Sequence, residues 1–272
     1  MCMKKQIALV AFFAVMLFSA KSQSVAVSPS RLYYKVGIGD YQNQVIRVTN
    51  NSDKTESFTI TFGDFEAPGS EGKSELLPSG SSKHGCSQWM SADPSYFTLE
   101  PGKTQEARIL LQVPNTPEAN AVKWATAMIK LAKEKEKPGA EQDGHGMGIM
   151  QTFQFVVHVF QTPPTITYKK AEITNFQEIS AQGDAVRQLS LFVKNVGEAI
   201  LDCAAYVDIT SLTTGEEQRI KPFAFTVLPG GARDVKFTLP KDLKQGKYSL
   251  LGVVDYGSDA EIEAAEIELE VK

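Results

Sequence analysis

The 272 residues carry 42% hydrophobic and 22% charged side chains, the balance of a folded globular protein and not of a disordered tail or a fibre. The formal net charge is −4, with the charges scattered along the chain; nucleic acid rewards basic patches, so it is excluded as a partner. The length suits one large domain or two of ordinary size, and either buries an adequate core.

The first residues form a unit of their own. Lys4 and Lys5, the apolar run from Ile7 to Phe18 and the small residues of Ser19-Ala20-Lys21-Ser22 have the layout of a secretory signal peptide cleaved after Ser22. The run is short for a membrane span, and Cys2 precedes it, which disfavours a lipid anchor. No second long apolar run follows, so the mature chain is expected to be exported and without a membrane anchor. Losing Lys4, Lys5 and Lys21 leaves 25 basic against 32 acidic residues, net −7. Only Cys86 and Cys203 then remain, one in each half, and two separate thiols are expected in place of a bridge.

From Val25 onward the chain reads as short strands. Val25 to Pro29 and Leu32 to Val36 open the series, and Gln44 to Thr49 follows with Ile46 and Val48 on one face. Ser57 to Phe62 alternates, with Phe58, Ile60 and Phe62 inward and Thr59 and Thr61 outward, the pattern of a half-buried antiparallel strand. The interval Asp64 to Ser87 is dense in glycine, serine and proline and reads as a long polar loop. Phe97 to Leu99, the turn Glu100-Pro101-Gly102-Lys103, Ala107 to Val113 and Lys123 to Leu131 come next. Alanine and methionine in the last of these permit a helix, but Trp124, Ile129 and its place between two strands favour a strand. Lys133 to Asp143 is a charged run of the kind found in a solvated hairpin loop.

Gln151 to Phe160 is expected to be a long strand that closes the first half. Phe153, Phe155, Val157 and Val159 make one wholly apolar face. Gln154, Val156, His158 and Phe160 make a half-polar one, so burial on both faces is not expected. Thr162-Pro163-Pro164 stops the strand, because proline cannot donate to a ladder and biases the residue before it toward extended geometry. The second half repeats the theme with strands at Ala171 to Asn175, Gln188 to Asn195, Ala204 to Ile209, Phe223 to Val227, Ala232 to Leu239, Tyr248 to Asp255 and Ala260 to Val271. Seven short strands without helical periodicity are the signature of an immunoglobulin-like sandwich. The expected fold is all-β: two tandem immunoglobulin-like β-sandwich domains, residues 23–162 and 163–272, after a signal peptide at 1–22. Pro101-Gly102 and Pro229-Gly230 each precede a strand that re-enters the core, so the halves read as distant copies of one plan.

Nothing in the sequence points to catalysis. His84 and Cys86 are too close together and too few for a metal site, His145 lies in a glycine-flanked loop, and His158 sits on the mixed strand face. No nucleophile elbow, phosphate loop or calcium loop occurs, so no enzyme, cofactor, catalytic residue or metal is expected. What remains is binding through backbone and apolar surface. Met147, Ile149, Gln151 and Phe153 share one face of the run entering the long strand. They read equally well as core residues or as an exposed edge offered to another chain.

The arrangement resembles the PapD-like periplasmic pilus chaperones over the whole mature chain in architecture and over short stretches in residues. Val27-Ser28-Pro29-Ser30-Arg31-Leu32-Tyr33-Tyr34 is similar to the family's first strand, and Phe97-Thr98-Leu99-Glu100-Pro101-Gly102 to its Leu-Glu-Pro-Gly turn. The resemblance implies a periplasmic protein that binds subunits of a surface fibre or secreted assembly along the last strand of domain one. Arg31 then matches the arginine that grips the subunit's terminal carboxylate, as bidentate guanidinium pairing allows. Counting back from Pro163, the family's second anchor, a lysine, falls on His158, a departure, since histidine binds a carboxylate as a cation only when protonated. The donated apolar positions fall on Met147, Ile149 and Phe153, with Gln151 breaking the series. A structural or adhesive two-domain module, similar to the WxL-interacting proteins, is the alternative.

Overall fold

The structure, a computed structural model, describes residues 24–132, 153–180, 186–257 and 261–271. The proposed signal peptide, the charged run after Ala132, and Met147 and Ile149 lie outside the described residues.

The first sandwich is built from β1 (Val25–Ser28), β2 (Arg31–Tyr34), β3 (Tyr41–Asn50), β4 (Glu56–Glu66), β5 (Glu75–Leu77), β6 (Met90–Asp93), β7 (Tyr96–Leu99), β8 (Thr104–Gln112), β9 (Lys123–Leu131) and β10 (Gln154–Gln161). One sheet runs β1-β3-β8-β6; the other runs β2-β10-β9-β4, with β7 and β5 sharing the far edge of β4. Alternation decides what faces inward. Ile46 and Val48 of β3, Ala107, Ile109 and Leu111 of β8, Phe58 and Ile60 of β4, and Val157 and Val159 of β10 fill one core. The Tyr34 hydroxyl donates across it to the Ile109 carbonyl at 2.8 Å, and burial pushes that phenol's pKa well up. β9 is a strand, paired on both sides with β4 and β10.

The second sandwich packs β11 (Ala171–Glu178), β12 (Gln188–Asn195) and β15 (Ala232–Thr238) against β13 (Leu201–Ser211), β14 (Glu217–Val227), β16 (Gly246–Asp255) and β17 (Ile262–Val271). Its core is separate, centred on Leu191, Val193, Val207, Ile209, Leu250 and Val254. Cys86 lies in the first core and Cys203 in the second; both are buried and free.

The two Pro-Gly turns share one construction. At the end of β3 the buried Asn50 exchanges backbone hydrogen bonds with Gly102 and Lys103, and its side-chain amide donates to the carbonyls of Lys54 and Leu99. At the end of β12 the buried Asn195 does the same with Gly230 and Gly231, its amide reaching the carbonyls of Ala199 and Val227. Gly102 and Gly230 both have φ of 73°, a conformation that glycine alone adopts without strain.

Two expectations need correction. The Asp64–Ser87 interval is not simply a loop: its Glu75–Leu77 segment forms β5 on the end of β4. Its return is tied to a buried carboxylate, since Asp64 accepts from the backbone N–H groups of Ser82 and Ser87 at 3.1 and 3.3 Å. A side chain at Gly85 would collide with that carboxylate. The long strand β10 is also buried on both faces at its C-terminal end, because Phe160 is covered from the side that sequence alone left half polar.

Candidate functional site

β10 has two different edges. Along its whole length it pairs antiparallel with β9, Gln154 to Lys130 through Gln161 to Lys123. On the other edge β2 runs parallel to it over His158 to Gln161 only. The His158 N–H donates to Ser30 and that of Thr162 to Tyr34, so even-numbered residues point their backbone groups toward β2. By the same alternation Gln154 and Val156 present theirs beyond the start of β2, where no described strand meets them. β1 cannot cover that stretch, having crossed to the other sheet to pair with β3.

The apolar stripe emerges at this open edge. Val157 and Val159 are 1% and 0% exposed within the core, Phe155 is half-buried against it, and Phe153 is 51% exposed. The four residues share a face, and the sandwich's own core stops covering them toward the N-terminal end.

Arg31 and His158 face each other in the pairing of β2 with β10, so both side chains stand on the outer face of the sheet. They line a cleft between the two sandwiches, of about 210 Å³, with Phe65, Ser74, Phe160, Thr226 and Arg233. Arg31 donates to the Thr226 hydroxyl at 2.8 Å and lies 3.9 Å from Asp202, which also accepts from Tyr33 and Thr226. Both members of that ion pair are largely solvated, so it adds little to stability. His158 Nε2 meets the Ser74 hydroxyl at 3.2 Å and packs edge-on against Phe65. Beneath the cleft, Phe65, Val122, Trp124 and Phe160 of the first sandwich close on Leu228 of the second, an apolar hinge cluster.

Burial, and secondarily the Arg31 charge, hold the His158 pKa below its ordinary value; burial does the same, most strongly of its causes, for His84. Unfolded histidine titrates near about 6.5, so on acidification the unfolded chain takes up protons first. The stability due to these neutral rings is complete above that value and is lost as pH falls below it. His158→Gln is expected to reduce the loss of stability between about pH 7 and 5 in urea unfolding, with His84 retaining its share. An unchanged loss would show that the His158 ring titrates alike in the folded and unfolded chains.

The structure thus brings Arg31 and His158 together and places Phe153 along the strand, outside the cleft. Thr226, Asp202, Arg233 and Leu228 were not reached from the sequence: each comes from the second half and meets the first only through folding. Among the described residues no group of three or more His, Cys, Asp and Glu could hold a metal, and no helix is long and apolar enough to cross a membrane.

No family model and no curated protein matches the sequence. Among solved structures, the chain is similar to one in the chaperone–tip adhesin complex of CFA/I fimbriae biogenesis, at 11% identity over 90% of this chain and 98% of that one, TM-score 0.48. It is also similar to the class 5 fimbriae chaperone CfaA, at 10% identity over 91% and 99%, TM-score 0.46. A third is the E. coli chaperone DraB, at 14% identity over 90% and 98%, TM-score 0.44. These alignments span some nine-tenths of this chain at low identity.

Proposed function

We propose that this chain is an exported, periplasmic chaperone-like protein that binds subunits of a surface fibre or secreted assembly by β-strand addition. The leader would be residues 1–22 and the two domains 23–162 and 163–272. The free edge of β10 and the residues before it complete the client's sheet. Phe153, with Ile149 and Met147 upstream, fills the client's open groove, and Arg31 takes the client's terminal carboxylate.

One observation carries this reading: the apolar stripe of β10 leaves its own core at the point where, among the described residues, no strand pairs with the backbone edge beside it. An exposed edge with apolar side chains at alternate positions is a template for another strand, since main-chain bonds give affinity and alternate pockets give specificity. Placing Arg31 at the end of that edge fixes the client's register through a charge-assisted pair.

The test is Phe153→Glu, which lies outside the core and is expected to leave unfolding stability within about 0.5 kcal/mol. Burying the phenylalanine in a client is worth about 2 kcal/mol, and a glutamate there adds a desolvation penalty, so client affinity is expected to fall by more than about tenfold. The readout is the stoichiometric subunit recovered with the tagged protein from periplasm. Recovery at the wild-type level would end the strand-addition reading.

A further inference from the structure

Among the described residues, Arg233 is the one cleft cation on the second sandwich, and it is held in an unusual way. Its guanidinium lies on the backbone of Gly72, at φ 71°, where any side chain would strike it. The segment carrying Gly72 is fixed on both sides. The Ser70 carbonyl accepts from the Asp234 N–H at 2.8 Å, and Ser74 meets His158 at 3.2 Å. Asp234 turns its carboxylate to Ser190, away from its neighbour. Among the described residues no carboxylate pairs with Arg233; its other contact is the Phe223 ring, 6.0 Å away. A guanidinium that is positioned, lines a cleft and lacks an acid is suited to an anion from outside.

We propose that Arg233 is a second anchor for a client's terminal carboxylate, supplied by the second sandwich and facing Arg31 across the cleft. This rests on the strand-addition reading. His158 is the residue on β10 that faces the same space, but in its neutral state it contributes no charge to an anion. Arg31 already gives one N–H to Thr226 and lies within ion-pair reach of Asp202, so it is a partly committed cation. Two arginines from different sandwiches would also make capture depend on how the sandwiches are set against each other. The Gly72 segment then has a role: it keeps the Arg233 side chain extended into the cleft.

The probe is a synthetic peptide of about nine residues with alternating leucines, made with a free C-terminal carboxylate and as the C-terminal amide, and titrated against the full mature protein. A charge-assisted hydrogen bond lost on Arg233→Gln is expected to weaken the acid peptide about tenfold and to leave the amide unchanged. Arg233→Lys is expected to fall in between, because a point charge cannot pair bidentately. Adding His158→Lys to Arg233→Gln restores much of the preference for the acid. Equal losses for acid and amide would overturn the proposal and leave Arg233 as a brace for the Gly72 segment; no loss for either would overturn it too. Wild-type protein that binds both peptides equally sinks the carboxylate anchor while strand addition stands. Wild-type protein that binds neither sinks both.

Discussion

Asn50→Asp is expected to destabilise the first sandwich by about 3–5 kcal/mol, the scale for a buried charge left without a partner. The Asn50 amide donates to the Lys54 and Leu99 carbonyls at 2.7 and 2.9 Å, while its oxygen accepts from the Ser52 N–H and hydroxyl at 3.0 and 2.7 Å. Aspartate keeps the acceptor and loses both donors, so a carboxylate would face two carbonyl oxygens at a position that is 0% exposed. Domains of this size hold only about 5–15 kcal/mol, so the loss is a large share of the total. Asn195→Asp strikes the same corner of the second sandwich, where the amide reaches Ala199 and Val227 at 2.9 and 3.0 Å. Urea unfolding followed by amide exchange is expected to show each substitution loosening its own sandwich, with additive effects in the double variant. A loss below about 1 kcal/mol would show that the corner reorganises around the acid and that the shared construction is not what holds the turn.

Leu228→Glu is expected to part the two sandwiches while each stays folded. Leu228 is 9% exposed and closes on Phe65, Val122, Trp124 and Phe160, with no cation among them. Burying an ionised carboxylate among those apolar side chains costs several kcal/mol, more than a small apolar cluster with a few solvated polar links can absorb. Opening is the cheaper response, because both main cores lie away from the hinge. Small-angle scattering should show a larger radius of gyration, and the Asp234 amide, bonded to Ser70 across the junction, should exchange at least about tenfold faster. Unchanged scattering and exchange would show that the polar contacts at Arg31, Tyr33 and Ser70 suffice to hold the halves.

Much of the fold was legible because alternation is local. Lys123–Leu131 and Gln188–Asn195 were read with the boundaries that the structure shows, and Phe58, Ile60, Ile46 and Val48 point inward as their spacing requires. β5 and β6 were missed: Glu-Leu-Leu and Met-Ser-Ala-Asp are too short to show a period, and they become strands only by pairing with β4 and β8. The burial of Phe160 was missed for a related reason, since Leu228 lies 68 positions further on and nothing near Phe160 announces it. The Pro-Gly turns hinted at a common plan, but the two asparagines that pin them look like ordinary turn residues until the carbonyls they serve converge. At the candidate site, Arg31 and His158 came from the family resemblance and a count from Pro163. The residues opposite them depend on the docking of the halves, which no window of sequence encodes.

Cys86 and Cys203 each sit alone in a different core, and burial first of all pushes both thiols up, Cys203 to about 12. Thiolate is the species that attacks disulfides and oxidants, so these two buried thiols are poor reactants toward both while their sandwiches stay folded. Vulnerability then begins only when one sandwich opens, and it falls on the half that opened. A protein with this placement tolerates an oxidising environment through packing alone, and the interval between synthesis and folding is its exposed moment.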